Sequence, residues 1–330
     1  MKILLFKIGA LGDVLMTTPL IKELKKSHTE SQIDYLVGNN ASKLINNNPY
    51  LSNVLIFDEN IFFKKKLFGY LKLINNIRKK KYDYIFVLDK HWIFNLTAML
   101  FNIKKRIGFN RLGKEGIFLT DKVYYGPVKH EITYYLELAS LLNTEKSDAN
   151  IKIDIVIPTE IEKKILKFLS DKNIKNYTVL INSGGNNVGE SGGIRKMPEK
   201  LFKDILDNLS KKTDVLFVGG PEEREYYEKF SGKNIYNFAG ATSIIESAVL
   251  LKYAKKIITT DCGLMHLASA VNENIISIFG PTNPKRKAPL SKKCISVWKD
   301  MKNYDENYEL FGKMPEKREF FNEITIEDIV

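Results

Sequence analysis

The stretch around Asp261 carries the residues whose types and spacing are best suited to chemistry. The β-branched run 256–258 is typical of a buried parallel strand, and the strand is predicted to end at Asp261. Gly263 then permits a tight turn, and a helix is predicted over 264–270. Because the first backbone N–H groups of a helix have no partner within the helix, they bind anions. The stretch therefore predicts an anion site with a carboxylate beside it.

A second junction of the same kind follows at Gly280. The strand predicted over 274–279 ends in Gly280-Pro281-Thr282, again at the carboxyl end of a strand. Ligands of open parallel α/β sheets bind in the crevice outside that edge. Two such junctions in tandem indicate a site for a nucleotide or a sugar phosphate.

Polar residues with the capacity to bind phosphate follow another predicted strand. Ser183 and Gly184 end the strand, where they either bond a phosphate or form an ordinary turn. Arg195 and Lys196 come just before a helix predicted over 198–211. Arginine clamps phosphate oxygens and lysine neutralises their charge, so this pair suits a diphosphate. The alternative for the pair is a solvated loop.

Two carboxylates follow glycine-containing turns between a predicted strand and a helix. Asp13, after Gly9 and Gly12, is placed to act as general base on a sugar hydroxyl, or else it caps the helix. Glu222, after the turn 219–221, either accepts from ribose hydroxyls or caps its own helix. Neither turn has the Gly-x-Gly-x-x-Gly or Gly-Lys-Ser/Thr pattern, which argues against dinucleotide and P-loop sites.

The histidines and cysteines give no support for a metal site. His266 is one of four histidines, and a lone histidine near a core is usually structural. Neither His-x-x-x-His nor Cys-x-x-Cys spacing occurs. The two cysteines, Cys262 and Cys294, are too few for a disulfide framework.

The chain is basic, with 51 Lys and Arg against 39 Asp and Glu and a formal net charge of +12. Such an excess of positive charge favours an anionic partner: a nucleic acid, a membrane surface or a phosphorylated substrate. The alternative is that the excess forms only a solvated, lysine-rich surface. Three cationic clusters lie in the first half, and together they suit a phosphorylated acceptor: Lys64-Lys65-Lys66, Arg78-Lys79-Lys80-Lys81 and Lys104-Lys105-Arg106.

Strands and helices alternate twice along the chain, which predicts two α/β units with parallel sheets. The polar segment 143–159 is the predicted linker, and 299–321 is charged, aromatic and irregular. Lys7 breaks the first apolar run, so a buried strand is favoured over a signal sequence. The predicted strands cover 3–7, 32–37, 54–57, 84–88 and 106–108 in the first series, and 178–182, 214–218, 235–238, 256–259 and 275–279 in the second.

The motifs at both ends of the chain resemble those of glycosyltransferase family 9, the ADP-heptose:lipopolysaccharide heptosyltransferases. The first is Lys7-Ile8-Gly9-Ala10-Leu11-Gly12-Asp13 with Pro19. The later ones occur in the family's order and are Val218-Gly219-Gly220-Pro221-Glu222, Asn237-Phe238-Ala239-Gly240-Ala241-Thr242-Ser243, Asp261-Cys262-Gly263-Leu264-Met265-His266-Leu267-Ala268 and Phe279-Gly280-Pro281-Thr282-Asn283-Pro284. The chain departs from the family at Cys262, usually Thr or Ser, and at 195–198, often Lys-x-Trp-Pro.

The resemblance implies a GT-B architecture of two Rossmann-like domains with parallel sheets that face each other across a cleft. Residues 1–155 would bind the acceptor, 156–318 would bind the nucleotide sugar, and 319–330 would return toward the first domain. It also implies inverting transfer without a metal or other cofactor.

The resemblance assigns roles residue by residue. Asp13 would be the base, Glu222 would hold ribose and Asp261 would hold sugar hydroxyls. The full donor set is Ser183, Gly184, Arg195, Lys196, Glu222, Thr242, Asp261, Gly263, Leu264, Met265 and His266, and the acceptor set is Gly12, Lys64, Lys65 and Lys66.

The leading hypothesis is an inverting heptosyltransferase that uses ADP-heptose and a lipid-linked, phosphorylated lipopolysaccharide core acceptor. We expect it in the cytoplasm, peripheral on the inner face of the membrane, with no nucleic-acid partner. Two alternatives stay open. One is a nucleotide-sugar epimerase of the same fold, and the other is a non-catalytic basic protein that binds glycolipid or nucleic acid.

Overall fold

The computed structural model describes residues 1–64, 66–144, 151–184, 193–291, 293–299, 301–315 and 319–329. The chain divides into two compact units, Met1–Val156 and Ile157–Val330. The predicted boundary, between 155 and 156, lies one residue before this division.

The first unit is a parallel sheet of six strands connected by helices. Its strands are arranged in the order β3-β2-β1-β4-β5-β6. They are β1 (Lys2–Lys7), β2 (Gln32–Gly38), β3 (Asn53–Phe57), β4 (Tyr84–Val87), β5 (Lys105–Arg111) and β6 (Asp121–Tyr125). The helices are α1 (Leu11–Met16), α2 (Thr18–Ser27), α3 (Asn39–Ser42), α4 (Asn60–Phe63), α5 (Leu67–Lys79), α6 (Trp92–Leu100) and α7 (Glu131–Ser140).

The second unit repeats this architecture, with the strand order β12-β11-β10-β7-β8-β9. Its strands are β7 (Tyr177–Ile181), β8 (Asp214–Phe217), β9 (Ile235–Asn237), β10 (Lys256–Thr260), β11 (Ile275–Phe279) and β12 (Ile295–Trp298). Its helices are α8 (Thr159–Asp171), α9 (Glu199–Leu209), α10 (Pro221–Glu228), α11 (Ile244–Tyr253), α12 (Gly263–Val271), α13 (Pro284–Lys287) and α14 (Glu306–Phe311).

Both sheets have the Rossmann strand order 3-2-1-4-5-6, counted within each unit. The order reverses between β1 and β4 in the first unit and between β7 and β10 in the second. Ligands of such sheets bind at the carboxyl ends of the strands at this switch point. The predicted α/β class with two Rossmann-like units is therefore confirmed.

The central strands are largely apolar because helices cover both faces of each sheet. Every residue of β7 and of β11 is buried, and β1 is buried after its first residue. One edge strand of each sheet, β6 in the first and β12 in the second, was missed by the sequence analysis, which predicted only five strands per unit. In β6 and β12 only one residue of the strand is buried, Tyr125 and Val297, so neither forms an apolar run.

The last described segment packs into the core of the second unit. Phe320, Phe321, Ile324 and Ile329 are buried in the cluster that contains Phe217. The predicted return of 319–330 toward the first domain stays a prediction. The region predicted to be irregular contains α14, a helix that the sequence analysis did not identify.

Candidate functional site

In the first unit, Asp13 lies at the switch point of the sheet. It is in the first turn of α1, directly after the loop that leaves β1. The N-cap position belongs to Ala10, whose carbonyl accepts the Val14 N–H at 3.0 Å. The Asp13 side chain is 29% exposed, whereas Gly12 beside it is buried. A ligand at this edge therefore has access to the carboxylate but not to Gly12.

A buried lysine holds Asp13 and a second carboxylate together. Lys7 Nζ lies 3.5 Å from Asp13 Oδ2 and 2.5 Å from Asp89 Oδ1. Asp89 Oδ2 also accepts the Ile8 N–H at 2.7 Å. Burial lowers the pKa of Lys7, but the charges of Asp89 and Asp13 outweigh it and raise that pKa above 10.5. The ammonium is therefore charged at neutral pH and stabilises the ionised form of Asp13.

A second ion pair lies beside this cluster. Lys90 Nζ is 2.6 Å from Glu131 Oε2 and 4.5 Å from the centre of the Tyr125 ring. The Tyr125 hydroxyl donates to Glu131 Oε1. Burial lowers the pKa of Lys90, but the charges of Glu131 and Asp13 outweigh burial and raise it. The two lysines and three carboxylates thus form one charged cluster at the carboxyl edge of β1 and β4.

Tyr135 adds a polar group to the cluster from α7. Its hydroxyl is buried and has no hydrogen-bond partner in the part of the chain that the structure describes. Burial raises the pKa of Tyr135 well above 10, and the negative charge of Asp13 raises it further. The hydroxyl is therefore protonated and can donate to an oxygen atom at this site.

The cationic acceptor residues lie elsewhere in the first unit. Lys64 follows α4, and Lys66 precedes α5 with its Nζ 3.2 Å from Asp58 Oδ2. Lys65 lies outside the described residues. Their role in acceptor binding stays a prediction.

In the second unit, the loop after β7 is pinned to the end of β10. The Ser183 N–H donates to Thr260 Oγ1 at 3.1 Å, and the Thr260 hydroxyl donates to the Ser183 carbonyl at 2.6 Å. Gly184 has φ +114°, and a Cβ there would lie 2.7 Å from the Asp261 carbonyl oxygen. Only glycine fits that approach, which brings the loop against Asp261 at the switch point.

Asp261 is buried and paired with Arg195. Asp261 Oδ2 lies 3.3 Å from Arg195 Nη1, and Arg195 Nε donates to the Tyr308 hydroxyl of α14 at 3.0 Å. Burial raises the pKa of Asp261, but Arg195, Lys287 and His266 outweigh it, so that pKa lies below 3.8. The carboxylate is therefore ionised, and Arg195 is a buried residue of the site rather than part of a solvated loop.

Two buried oxygen atoms beside this pair retain hydrogen-bonding capacity. Thr282 lies close to Asp261, but neither Asp261 Oδ1 nor Thr282 Oγ1 makes a hydrogen bond of standard geometry to any described residue. Buried polar atoms are nearly always paired with protein, water or ligand. A carboxylate oxygen and a hydroxyl side by side suit the hydroxyl groups of a sugar.

The helix predicted after Asp261 is confirmed as α12. Gly263, Leu264 and Met265 form its first turn, and the Met265 N–H donates to the Cys262 carbonyl at 3.1 Å. His266 is buried in the next position. Burial raises the pKa of Cys262 to about 11, so its thiol is neutral. The positive end of the helix dipole therefore lies at the switch point without a competing thiolate.

Glu223, which the sequence analysis did not select, makes the helix cap that was the alternative role for Glu222. Glu223 is buried, accepts from Ser183 Oγ at 2.9 Å and from the Gly220 N–H at 2.8 Å, and lies 3.7 Å from Lys196 Nζ. Glu222 is exposed in the first turn of α10. The three-residue spacing from Gly220 to Glu223 is that of a capping box and was the signal available in the sequence.

Thr242 lies in the loop after β9, at the same edge of the sheet. Its hydroxyl is 2.9 Å from Ser247 Oγ. Gly240, with φ +67°, packs so closely that a Cβ would lie 2.9 Å from Pro221 Cα. This contact brings the Thr242 loop against the start of α10.

Among the described residues no group of three or more His, Cys, Asp or Glu is arranged to hold a metal ion.

Two Rossmann-like units, each with charged loops at its switch point, define the nucleotide-binding α/β class that includes the GT-B glycosyltransferases. The sequence pattern of glycosyltransferase family 9 (heptosyltransferase) matches residues 70–310. This match covers well over half of the chain, so the chain belongs to that family and is a glycosyltransferase. The resemblance noted in the sequence is thereby confirmed.

Known heptosyltransferases resemble this chain over nearly its full length. It is 23% identical to lipopolysaccharide heptosyltransferase 3 of Escherichia coli strain K12, over 97% of this chain and 93% of that protein. The solved structure of E. coli ADP-heptose lipopolysaccharide heptosyltransferase II superposes with a TM-score of 0.78 and 19% identity, over 100% of this chain and 96% of the other. E. coli heptosyltransferase WaaC, solved with ADP-2-deoxy-2-fluoro heptose, superposes with a TM-score of 0.71 and 17% identity. This superposition covers 90% of this chain and 93% of the other.

Proposed function

We propose that this glycosyltransferase moves a heptose from ADP-heptose to a lipopolysaccharide core acceptor, with inversion and without a metal ion. The observation that carries the proposal is the Arg195–Asp261 pair, with Asp261 Oδ1 and Thr282 Oγ1 left for sugar hydroxyls. The full-length similarity to lipopolysaccharide heptosyltransferases supports the choice of donor and acceptor.

The second unit binds the donor in this proposal. Arg195 and Lys196 neutralise the diphosphate, and the start of α12 adds N–H groups and the positive end of its dipole. Asp261, with its depressed pKa, accepts hydrogen bonds from the heptose hydroxyls. Glu222 is exposed and available for the ribose, while Glu223 holds the loop in place.

The first unit supplies the base. Asp13 takes the proton of an acceptor hydroxyl as that oxygen bonds to the anomeric carbon of the heptose. The bond from this carbon to the diphosphate oxygen breaks, and ADP leaves with the electron pair. Attack opposite the diphosphate inverts the configuration. Lys7 stabilises the ionised carboxylate that the step requires.

The place of action is part of the same proposal. We place the enzyme in the cytoplasm at the inner face of the membrane, where a lipid-linked acceptor is presented. The cationic clusters of the first half support contact with a phosphorylated acceptor at an anionic surface. None of the helices in the described part of the chain combines the length and apolar character that crossing a membrane requires.

Incubation with ADP-heptose and an acceptor glycolipid tests the proposed reaction. Transfer yields a longer glycolipid and free ADP, and it supports the proposal. A new free nucleotide sugar without glycolipid extension would identify an epimerase instead. Binding of either substrate with no product would indicate a non-catalytic protein. The anomeric configuration of the product, determined by NMR, tests inversion.

A further inference from the structure

Residues 61–81, which run from within α4 to two residues past the end of α5, have an extreme charge pattern. It contains eight Lys and Arg and no Asp or Glu, against a net charge of +12 for the whole chain. Three cations precede α5, one lies on its second turn, and four lie in its last turn and directly after it. They are Lys64, Lys65, Lys66, Lys72, Arg78, Lys79, Lys80 and Lys81.

Large apolar side chains of the same segment are exposed to solvent. Phe63, Leu67, Phe68 and Leu71 are 54%, 68%, 84% and 55% exposed. Single exposed apolar residues are ordinary, but these four fall within nine consecutive positions. Leu67, Phe68 and Leu71 lie on the first two turns of α5, and Phe63 ends α4 four positions before Leu67. We call these four side chains the α5 apolar face (Phe63, Leu67, Phe68 and Leu71).

The α5 apolar face is not what anchors the helix. Ile74 and Ile77, in the later turns of α5, are buried in the core of the first unit, where Tyr70 and Leu73 also pack. α5 is therefore anchored by these side chains while its first turns present leucine and phenylalanine outward. Exposing these apolar side chains to water costs free energy, and packing of the core does not explain it.

Exposed apolar side chains within a ring of cations match the chemistry of an anionic lipid surface. Apolar side chains enter the boundary between headgroups and acyl chains, and lysines remain at the level of lipid phosphates. Lys66 is already paired with Asp58, but both side chains are half exposed and such surface pairs are weak. A lipid phosphate competes with Asp58 at little cost.

We propose that the α5 apolar face docks the protein on an anionic bilayer, with Phe68 as its most deeply inserted side chain. The docking depends on the proposed function in one respect: a lipid-linked acceptor gives the enzyme a reason to bind a lipid surface. An acidic protein surface has the same charge but gives no reason for the side chains to enter hydrocarbon, and the test separates the two.

Sedimentation with vesicles tests the docking directly. The protein should bind vesicles that contain phosphatidylglycerol and should bind pure phosphatidylcholine far less. Leu67→Ser with Phe68→Ser should weaken partitioning by about tenfold or more, because two large side chains leave the hydrocarbon boundary. Ile117→Ser is the matched control, since Ile117 is 79% exposed in the same unit but outside the segment. Equal binding by the double variant and the parent would overturn the proposal.

Insertion has a spectroscopic readout that charge attraction alone does not give. Phe68→Trp should gain tryptophan fluorescence that lipids brominated along the acyl chain quench, beyond the quenching of the parent chain. Absence of that quenching in vesicle-bound protein would refute insertion and leave only surface attraction or a protein partner.

The docking and the enzyme activity can fail independently. With a deacylated, water-soluble acceptor fragment, Leu67→Ser with Phe68→Ser should retain the parent turnover, whereas with acceptor in vesicles it should lose it. Loss with both acceptors would contradict a docking role. If the parent shows no transfer at all, the proposed function fails, while the vesicle and quenching results still decide the docking.

Discussion

At the scale of single residues, the structure surrounds Asp13, the base in our proposal, with charged side chains. Lys7 contacts Asp13 and Asp89, and Lys90 contacts Glu131 in the adjacent position. A carboxylate that must gain a proton during the reaction has to be ionised beforehand and still be a competent base. Lys7, whose Nζ lies 3.5 Å from Asp13 Oδ2 and also contacts Asp89, favours the ionised form of Asp13. The Asp13 carboxylate nevertheless stays partly exposed to a ligand.

Replacement of the base is the first test at this scale. Asp13→Asn should lower turnover by about two orders of magnitude or more, because the amide cannot accept the acceptor proton. The dissociation constant of ADP should stay the same, since the donor residues lie in the second unit. Asp83→Asn is the control, an exchange at the amino end of β4. Near-parental turnover in folded Asp13→Asn protein would return Asp13 to a structural role.

The role of Lys7 can be separated from its contribution to folding by the pH dependence of kcat/KM. In Lys7→Met the Asp13 carboxylate lacks its adjacent cation and binds a proton more tightly. The acidic limb of the profile should therefore move to higher pH. Lys7→Arg keeps the charge and should leave the limb near its parental position.

Lys129→Met serves as the control for Lys7, because Lys129 pairs with Glu137 in the same unit but away from the cluster. An unshifted acidic limb in folded Lys7→Met protein would mean that Lys7 only fills the core.

At the scale of elements, the loops at the carboxyl edge of the second sheet are tied together by Glu223. This carboxylate caps α10 through the Gly220 N–H and also holds Ser183 at the end of β7. Its neighbour Glu222 has the exposure that a ligand requires. We therefore propose separate tasks for these two adjacent residues, stability for Glu223 and ligand recognition for Glu222.

The adjacent pair gives a prediction with an internal control. Glu223→Ala should lower the free energy of unfolding by about 1–3 kcal/mol, because buried partners lose their acceptor. Glu222→Ala should change that free energy by no more than about 0.5 kcal/mol, as expected for exposed positions. In turn, Glu222→Ala should weaken ADP binding, as seen by calorimetry. The reverse pattern, with a stability loss at Glu222 and none at Glu223, would contradict these assignments.

At the scale of the whole molecule, charge is unevenly distributed along the chain. The segment 61–81 alone carries eight cations without an acidic residue, in the unit to which we assign the acceptor. In the second unit, Arg195 and Lys196 lie beside carboxylates at the site, where the proposed function has them neutralise the diphosphate. The eight cations of the segment 61–81 equal two thirds of the net charge of +12.

The proposed chemistry neutralises the diphosphate with side chains and backbone dipoles, so activity should withstand removal of divalent ions. We expect the rate of heptose transfer in excess EDTA to equal the rate with Mg²⁺. The expected result follows from Arg195, Lys196 and the start of α12, which together supply positive charge at the diphosphate. Loss of activity in EDTA with rescue by Mg²⁺ or Mn²⁺ would mean that a metal ion does this work.

The sequence alone determined the class of the fold and pointed to the candidate site residues. Buried parallel strands such as β7 and β11 are continuous apolar runs, and the glycines and carboxylates that follow strands mark the carboxyl edge of a sheet. Asp13 and Asp261 were selected by these local rules together with the family motifs. Such signals lie within a few residues of each other and need no knowledge of the tertiary structure.

Only the tertiary structure decided which charges meet. Lys7 and Asp89 are 82 positions apart, and Arg195 and Tyr308 are 113 apart. They meet because β1 pairs with β4 and because α14 packs against the Arg195 loop. The edge strands β6 and β12 and the burial of Glu223 rather than Glu222 depend in the same way on neighbours distant in sequence. Local patterns specify elements, whereas burial and pairing belong to the packed unit, and no single segment encodes them.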